Sequence, residues 1–263
     1  MLLDASVKLE YHATNPVPAI FMLRPRSGWA QWITREEYSI EPLVQVVEFT
    51  DLYGNLCQKM IIPEGDFSVA TECRAMVPDA IDVDAGAEII PVAQLPSEVL
   101  HFLLASRYCP SDRLGDLAAS ITGPSAQTYQ DVEKIRRWIQ ENITYQYGTS
   151  DASTSALETA QSKQGVCRDF AHLGISLCRA INVPARMVVG FLHELEPMDM
   201  HAWFEAYIGG RWFTMDATEE EPKGNRIVVA YGRDAADVAL STLFGSLEFK
   251  GMKVQVTAAT TFD

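Results

Sequence analysis

Gly209-Gly210 constrains the architecture of this chain more than any other pair of residues. The dipeptide stands between two runs of alternating character, Met200 to Ile208 and Arg211 to Ala217. Glycines in this setting predict a hairpin with a two-residue turn, because the tight turns that match strand twist need positive φ at their central positions. The turn sets the register. Ile208 pairs with Arg211, and by continuation Trp203 lies opposite Asp216 and His201 opposite Thr218. Met200, Ala202, Phe204, Ala206 and Ile208 then share an apolar face with Phe213, Met215 and Ala217. The other face carries His201, Trp203, Glu205 and Tyr207 with Trp212, Thr214, Asp216 and Thr218. On it His201 and Asp216 are diagonal neighbours, roughly 7–8 Å apart at Cα, a gap that an imidazole and a carboxylate can close.

A helix comes just before. Phe170, Leu173, Gly174, Leu177, Cys178 and Ile181 recur at helical spacing and predict a helix from Cys167 to near Asn182, stopped before Pro184. Cys167 opens it. There it faces unpaired backbone N–H groups and the positive end of the helix dipole, and both favour thiolate over thiol. Its own N–H is placed to donate to a developing oxyanion. A cysteine, a histidine and an aspartate in this order are the parts of a thiol nucleophile, its base and the group that orients the base. The hairpin offers His201 and Asp216 as a pair, and the Cys167 helix then has to pack across them. Gln164 is a candidate for the oxyanion hole, with a plain loop residue as the simpler reading. Arg168 puts a charge beside the nucleophile or is a solvated helix residue. The loop from Glu194 to Asp199 precedes His201 and is expected to border the cleft.

The rest of the chain divides by pattern. Residues 1–78 read as a small antiparallel β domain, with alternation at Ser6 to Tyr11 and β-rich runs at Val44 to Phe49, Met60 to Ile62 and Phe67 to Ala70. Residues 79–127 read as a connector with helices, one capped by Ser97 and carrying Val99, Leu100, Leu103 and Leu104 on one side. Residues 128–263 read as the functional core with C-terminal strands near Arg226 to Ala230 and Met252 to Thr257. Thr128 with Asp131 three positions on marks a helix start, and Val132, Ile135, Ile139 and Ile143 form its apolar stripe. A short helix is expected around Ala156 to Gln161. At 263 residues the chain suits two modules or one large one.

Charge narrows the function classes. With 21 basic and 35 acidic residues the net charge is −14. Such a surface repels phosphate backbones and anionic lipid, so no nucleic-acid or membrane partner is expected. No run approaches the roughly 20 apolar residues that span a bilayer, and no secretory signal is visible at the amino end. The five cysteines are scattered, without a CxxC pair. That fits a reducing, cytoplasmic compartment and makes Cys57, Cys73 and Cys109 buried small apolar residues. No pair of Cys or His has zinc-ligand spacing, and no metal or cofactor is expected.

Four blocks run in order: Gly165 to Leu173, Asn182 to Arg186, His201 to Tyr207, and Trp212 to Thr218. Together they resemble the bacterial transglutaminase-like superfamily over about residues 130–220. The first 80 residues, with Leu23-Arg24-Pro25-Arg26 and Asp51-Leu52-Tyr53-Gly54-Asn55, are similar to the β domain that often precedes that core. The resemblance implies an α+β fold with a papain-like, transglutaminase-like core. It implies that Cys167 is the nucleophile, His201 the base and acid, and Asp216 the orienter. Arg168 stands where Gln is common and Ala217 where Pro is common; neither position belongs to the triad. The implied activity is thiol-dependent acyl transfer on the amide bonds of a peptide or protein, most simply hydrolysis by a cysteine peptidase or amidase. A transglutaminase using an amine acceptor and a non-catalytic peptide-binding module are the alternatives.

Overall fold

Alternation builds the first 76 residues into strands. The computed structural model describes residues 1–28, 30–123 and 125–259. Strands β1 (Leu2–Ala13), β2 (Val17–Arg24), β3 (Trp32–Glu41), β4 (Val46–Thr50), β5 (Leu56–Ile62) and β6 (Gly65–Met76) come first. β1 buries every second residue from Leu3 to Ala13, as a strand with one face on a core must. Helices follow: α1 (Gly115–Thr122), α2 (Tyr129–Asn142), α3 (Ala156–Ser162) and α4 (Cys167–Ala180). They are interleaved with the short strands β7 (Thr144–Tyr145) and β8 (Gln164–Gly165). The chain ends in β9 (Ala185–Leu192), β10 (His201–Ile208), β11 (Arg211–Met215), β12 (Arg226–Gly232), β13 (Ser241–Leu243) and β14 (Glu248–Ala258).

Three four-stranded antiparallel sheets result, in the orders β14-β1-β6-β3, β13-β2-β5-β4 and β11-β10-β9-β12. The first two share a core in which Phe21 lies 6.0 Å from Tyr11 and 6.1 Å from Phe67 between ring centres. The third is the sheet of the functional core. Its hairpin has the expected register, with Ile208 on Arg211 and Phe204 on Met215, and Gly209 and Gly210 take φ of +57° and +88°. Helix α4 packs on the apolar side of β10. Gly174 makes that approach possible, since a Cβ there would lie 2.3 Å from a ring carbon of Phe204. The sequence predicts this helix across the face that carries His201 and Asp216, and the structure departs from that expectation. The helix covers the opposite face, and Cys167 comes to His201 from the helix end.

Two other expectations change. The C-terminal strands do not all extend the core sheet. β12 does, but β13 pairs with β2, and β14 pairs with β1 along its whole length, Val7 on Val254 and Leu9 on Met252. β1 has a second open edge, and β14 closes it with a side-chain alternation of its own. Pairing between residue 3 and residue 258 leaves no local trace in the sequence. The helix placed after Ser97 is a 3-10 turn over Ser97–Leu103, preceded by Pro96 and without a side-chain cap. In that tighter winding side chains three apart align, so Val99 and Phe102 point inward while Leu100 and Leu104 are exposed.

The β-rich N-terminal portion grips the core sheet through two side-chain amides. Gln31 accepts from Val228 N at 2.6 Å and donates to Val228 O at 2.8 Å. Asn55 accepts from Tyr231 N at 2.8 Å and donates to Tyr231 O at 2.7 Å. Each amide imitates a strand neighbour and satisfies the open edge of β12, which among the described residues has no strand partner beyond β9.

Candidate active site

Cys167 is placed by what precedes it. β8 pairs in parallel with β7, Tyr145 beside Gly165, and α4 starts two residues later. Asp169, fully buried in the first turn, accepts from Val166 N at 2.9 Å and from Ser150 Oγ at 2.5 Å. A carboxylate here satisfies an orphan donor and complements the helix dipole. Arg168 is occupied in the same network. It donates to the carbonyl of Asp151 at 2.7 Å and pairs with Asp169 at 3.1 Å, so it ties the 150–151 loop to the helix start. Gln164 is exposed on β8. Cys57, Cys73, Cys109 and Cys178 are buried, and Cys167 alone is not fully so.

His201 opens β10 opposite Gly190 of β9, and Asp216 follows directly on the last residue of β11. Both are buried. Nε2–H of His201 donates to Oδ2 of Asp216 at 2.7 Å. The other ring nitrogen, Nδ1, is buried without a regular hydrogen-bond partner. Cys167 lies close enough to His201 to favour its protonated form, though not in regular hydrogen-bond geometry. A loose contact of this kind is common in a resting active site. Burial disfavours the imidazolium, but the Asp216 carboxylate and then Cys167 outweigh it and push the His201 pKa up to about 10. Burial also opposes the charge on Asp216; His201, Arg226 and Thr218 overcome it and hold the carboxyl well below the usual carboxylate range.

The structure thus brings together the three residues singled out in the sequence. It also adds residues that the sequence did not mark. Arg226, the first residue of β12, donates to Oδ2 of Asp216 at 2.7 Å. Thr218 donates to Oδ1 from its backbone N at 3.0 Å and from Oγ1 at 2.7 Å. Buried Arg136 reaches from α2 to the carbonyls of Glu219 at 2.7 Å and Glu220 at 3.1 Å, holding the segment that presents Asp216. Tyr145 lies beside Cys167 and packs edge-on against Tyr147 at 5.5 Å. The one signal was faint: a charge opening the apolar run of β12. Among the described residues no group of three or more His, Cys, Asp or Glu is arranged to hold a metal ion.

Residues 115–217 match the family model of the transglutaminase-like superfamily. A solved structure from Cytophaga hutchinsonii, provisionally classed as a cysteine protease, is 35% identical. It aligns over 99% of this chain and 91% of its own, with a TM-score of 0.92. The chain belongs to the transglutaminase-like superfamily. Its relatives extend to mycobacteria. An uncharacterized protein of Mycobacterium leprae is 25% identical over 248 residues, spanning 87% of this chain and 88% of that protein. An uncharacterized protein of Mycobacterium tuberculosis is 31% identical over 143 residues, 49% of this chain and 46% of its own. The superfamily core and the β-rich N-terminal portion are therefore shared as a unit with the Cytophaga neighbour.

Proposed function

We propose that this protein is a cysteine-dependent amidase or peptidase acting on a peptide or protein through a Cys167-His201-Asp216 triad. The observation that carries the reading is the meeting of the least buried cysteine with a buried His–Asp pair at a helix amino terminus. Membership in the superfamily and the protease-like neighbour support it.

The geometry suits two half-reactions. Sγ of Cys167, as thiolate, attacks the amide carbonyl carbon, and the developing oxyanion meets the N–H groups at the start of α4. His201 gives its Nδ1 proton to the leaving amine as the C–N bond breaks, leaving a thioester and a neutral imidazole. Asp216 keeps the ring oriented throughout by accepting from Nε2. His201 then takes a proton from the incoming acceptor, the C–S bond breaks, and the ion pair is restored. Water as acceptor gives hydrolysis, and an amine gives transamidation. We propose water, and a reducing, cytoplasmic setting in which the five free thiols persist.

Purified protein profiled on a peptide-amide library, with and without a primary amine, tests this reading. Hydrolysis that disappears in Cys167→Ala is the expected result. An amine product exceeding the hydrolysis product reassigns the acceptor. A Cys167→Ala protein as active as wild type on every substrate removes the triad.

A further inference from the structure

Resting on the triad reading above, we infer that Arg226 is a positioning residue that shares Oδ2 of Asp216 with His201 and so keeps the imidazole able to release its proton. Both donors stand 2.7 Å from that one oxygen. The guanidinium is fixed on every side. Its second arm donates to Glu219 at 2.6 Å and its Nε to the carbonyl of Lys223 at 2.9 Å. Its plane lies 5.0 Å over the Trp203 ring, which stacks on His201 at 6.0 Å between centres and 25° between planes. Arg226, Trp203, His201 and Asp216 therefore form a closed ring of contacts with little freedom to relax.

The two half-reactions make opposite demands on His201. The resting pair needs an imidazolium, whereas the thioester needs a neutral imidazole that can take a proton. A lone buried carboxylate serves the first demand and obstructs the second, because it holds the proton on the ring. Arg226 is charged in both states. It offsets part of the charge on Asp216 when His201 is protonated, and it leaves the carboxylate paired once the proton has gone to the leaving amine. Glu219 on the far arm moderates this effect. The other charged or titratable groups at the pair are Cys167 and Tyr145 on one side, and Arg136 with Glu133 behind the Asp216 segment. β9 presents only Gly190 opposite His201.

The test is the titration of the His201 ring by NMR in a Cys167→Ser background, where no thiolate contributes. Arg226→Gln is expected to raise the His201 pKa by about 1–2 units, the size of one partly buried charge at this range. Arg226→Lys is expected to stay within about 0.5 unit of the parent, a small part of the effect of a full charge. Glu219→Gln is expected to lower the pKa, the opposite sign. A role confined to packing would cost melting temperature in Arg226→Gln and leave the titration in place, and that result overturns the inference. Should Arg226→Gln not fold, Glu219→Gln decides: an unchanged or raised pKa overturns it. The readout needs no turnover, so its failure is separable from a failure of amide hydrolysis.

Discussion

Replacing Asp216 by Asn tests the site most sharply, because the side chain keeps its shape and loses its charge. Oδ1 accepts two donors from Thr218, and Oδ2 accepts His201 and Arg226. An amide offers one oxygen and one NH2, so in either orientation its NH2 points at donors. The Arg226 guanidinium loses its fully buried counter-charge but keeps Glu219 on its other arm, so breaking the pair costs about 3 kcal/mol, the low end for a buried pair. That corresponds to a drop of roughly 10 °C in Tm for a chain of this size. The chemical loss is separate. Without the carboxylate the ring is no longer held with Nε2–H inward and Nδ1 toward Cys167, and comparable triads lose about 10⁴ in turnover. Thermal melts and single-turnover release of p-nitrophenol from p-nitrophenyl acetate measure the two effects independently. A variant with wild-type Tm and turnover within threefold of wild type would refute the electrostatic account of the pair.

Other consequences are measurable. Iodoacetamide should label the native protein at one site, Cys167, and reach the four buried cysteines only on unfolding; mass mapping that finds Cys57, Cys73, Cys109 or Cys178 alkylated first contradicts the burial pattern. His201 is held above its ordinary 6.5, up to about 10. Its share of the stability is therefore complete below about pH 6.5 and lost as pH rises toward 10. Denaturant melts should show a stability decline over that window which is reduced in His201→Asn, and an identical slope in the variant would contradict the pairing. Asp216 has the opposite sign: its pKa is depressed, so its stabilisation is present above the usual carboxylate range and is lost as acid brings the pH below it. Asn55→Ala removes the clamp on Tyr231 at a cost of about 2 kcal/mol. Hydrogen exchange should then quicken at the Tyr231 amide, and unchanged protection there counts against the clamp.

What the sequence made legible was local. The hairpin register follows from two glycines and one alternation, and that register alone puts His201 near Asp216. The α4 stripe and the Thr128–Asp131 box are equally local, and both elements form where expected. Distant pairings were not legible. β14 meets β1 across nearly the whole chain, and Gln31 and Asn55 reach 197 and 176 residues away to cap β12. Arg226 escaped notice for the same reason: a strand-opening arginine has no signature until its sheet brings it beside Asp216. Arg168 shows the converse. Next to the nucleophile in sequence, it spends its charge on Asp169 and a loop carbonyl instead.

The central claim is that Cys167 carries the acyl group. Rapid-quench intact-mass analysis with p-nitrophenyl acetate, followed by peptide mapping, reads this directly. The expected result is one acetyl adduct on the peptide containing Cys167, formed before steady-state release and absent in Cys167→Ala. Turnover without an adduct at Cys167, or an adduct that survives in Cys167→Ala with unchanged turnover, would contradict the account.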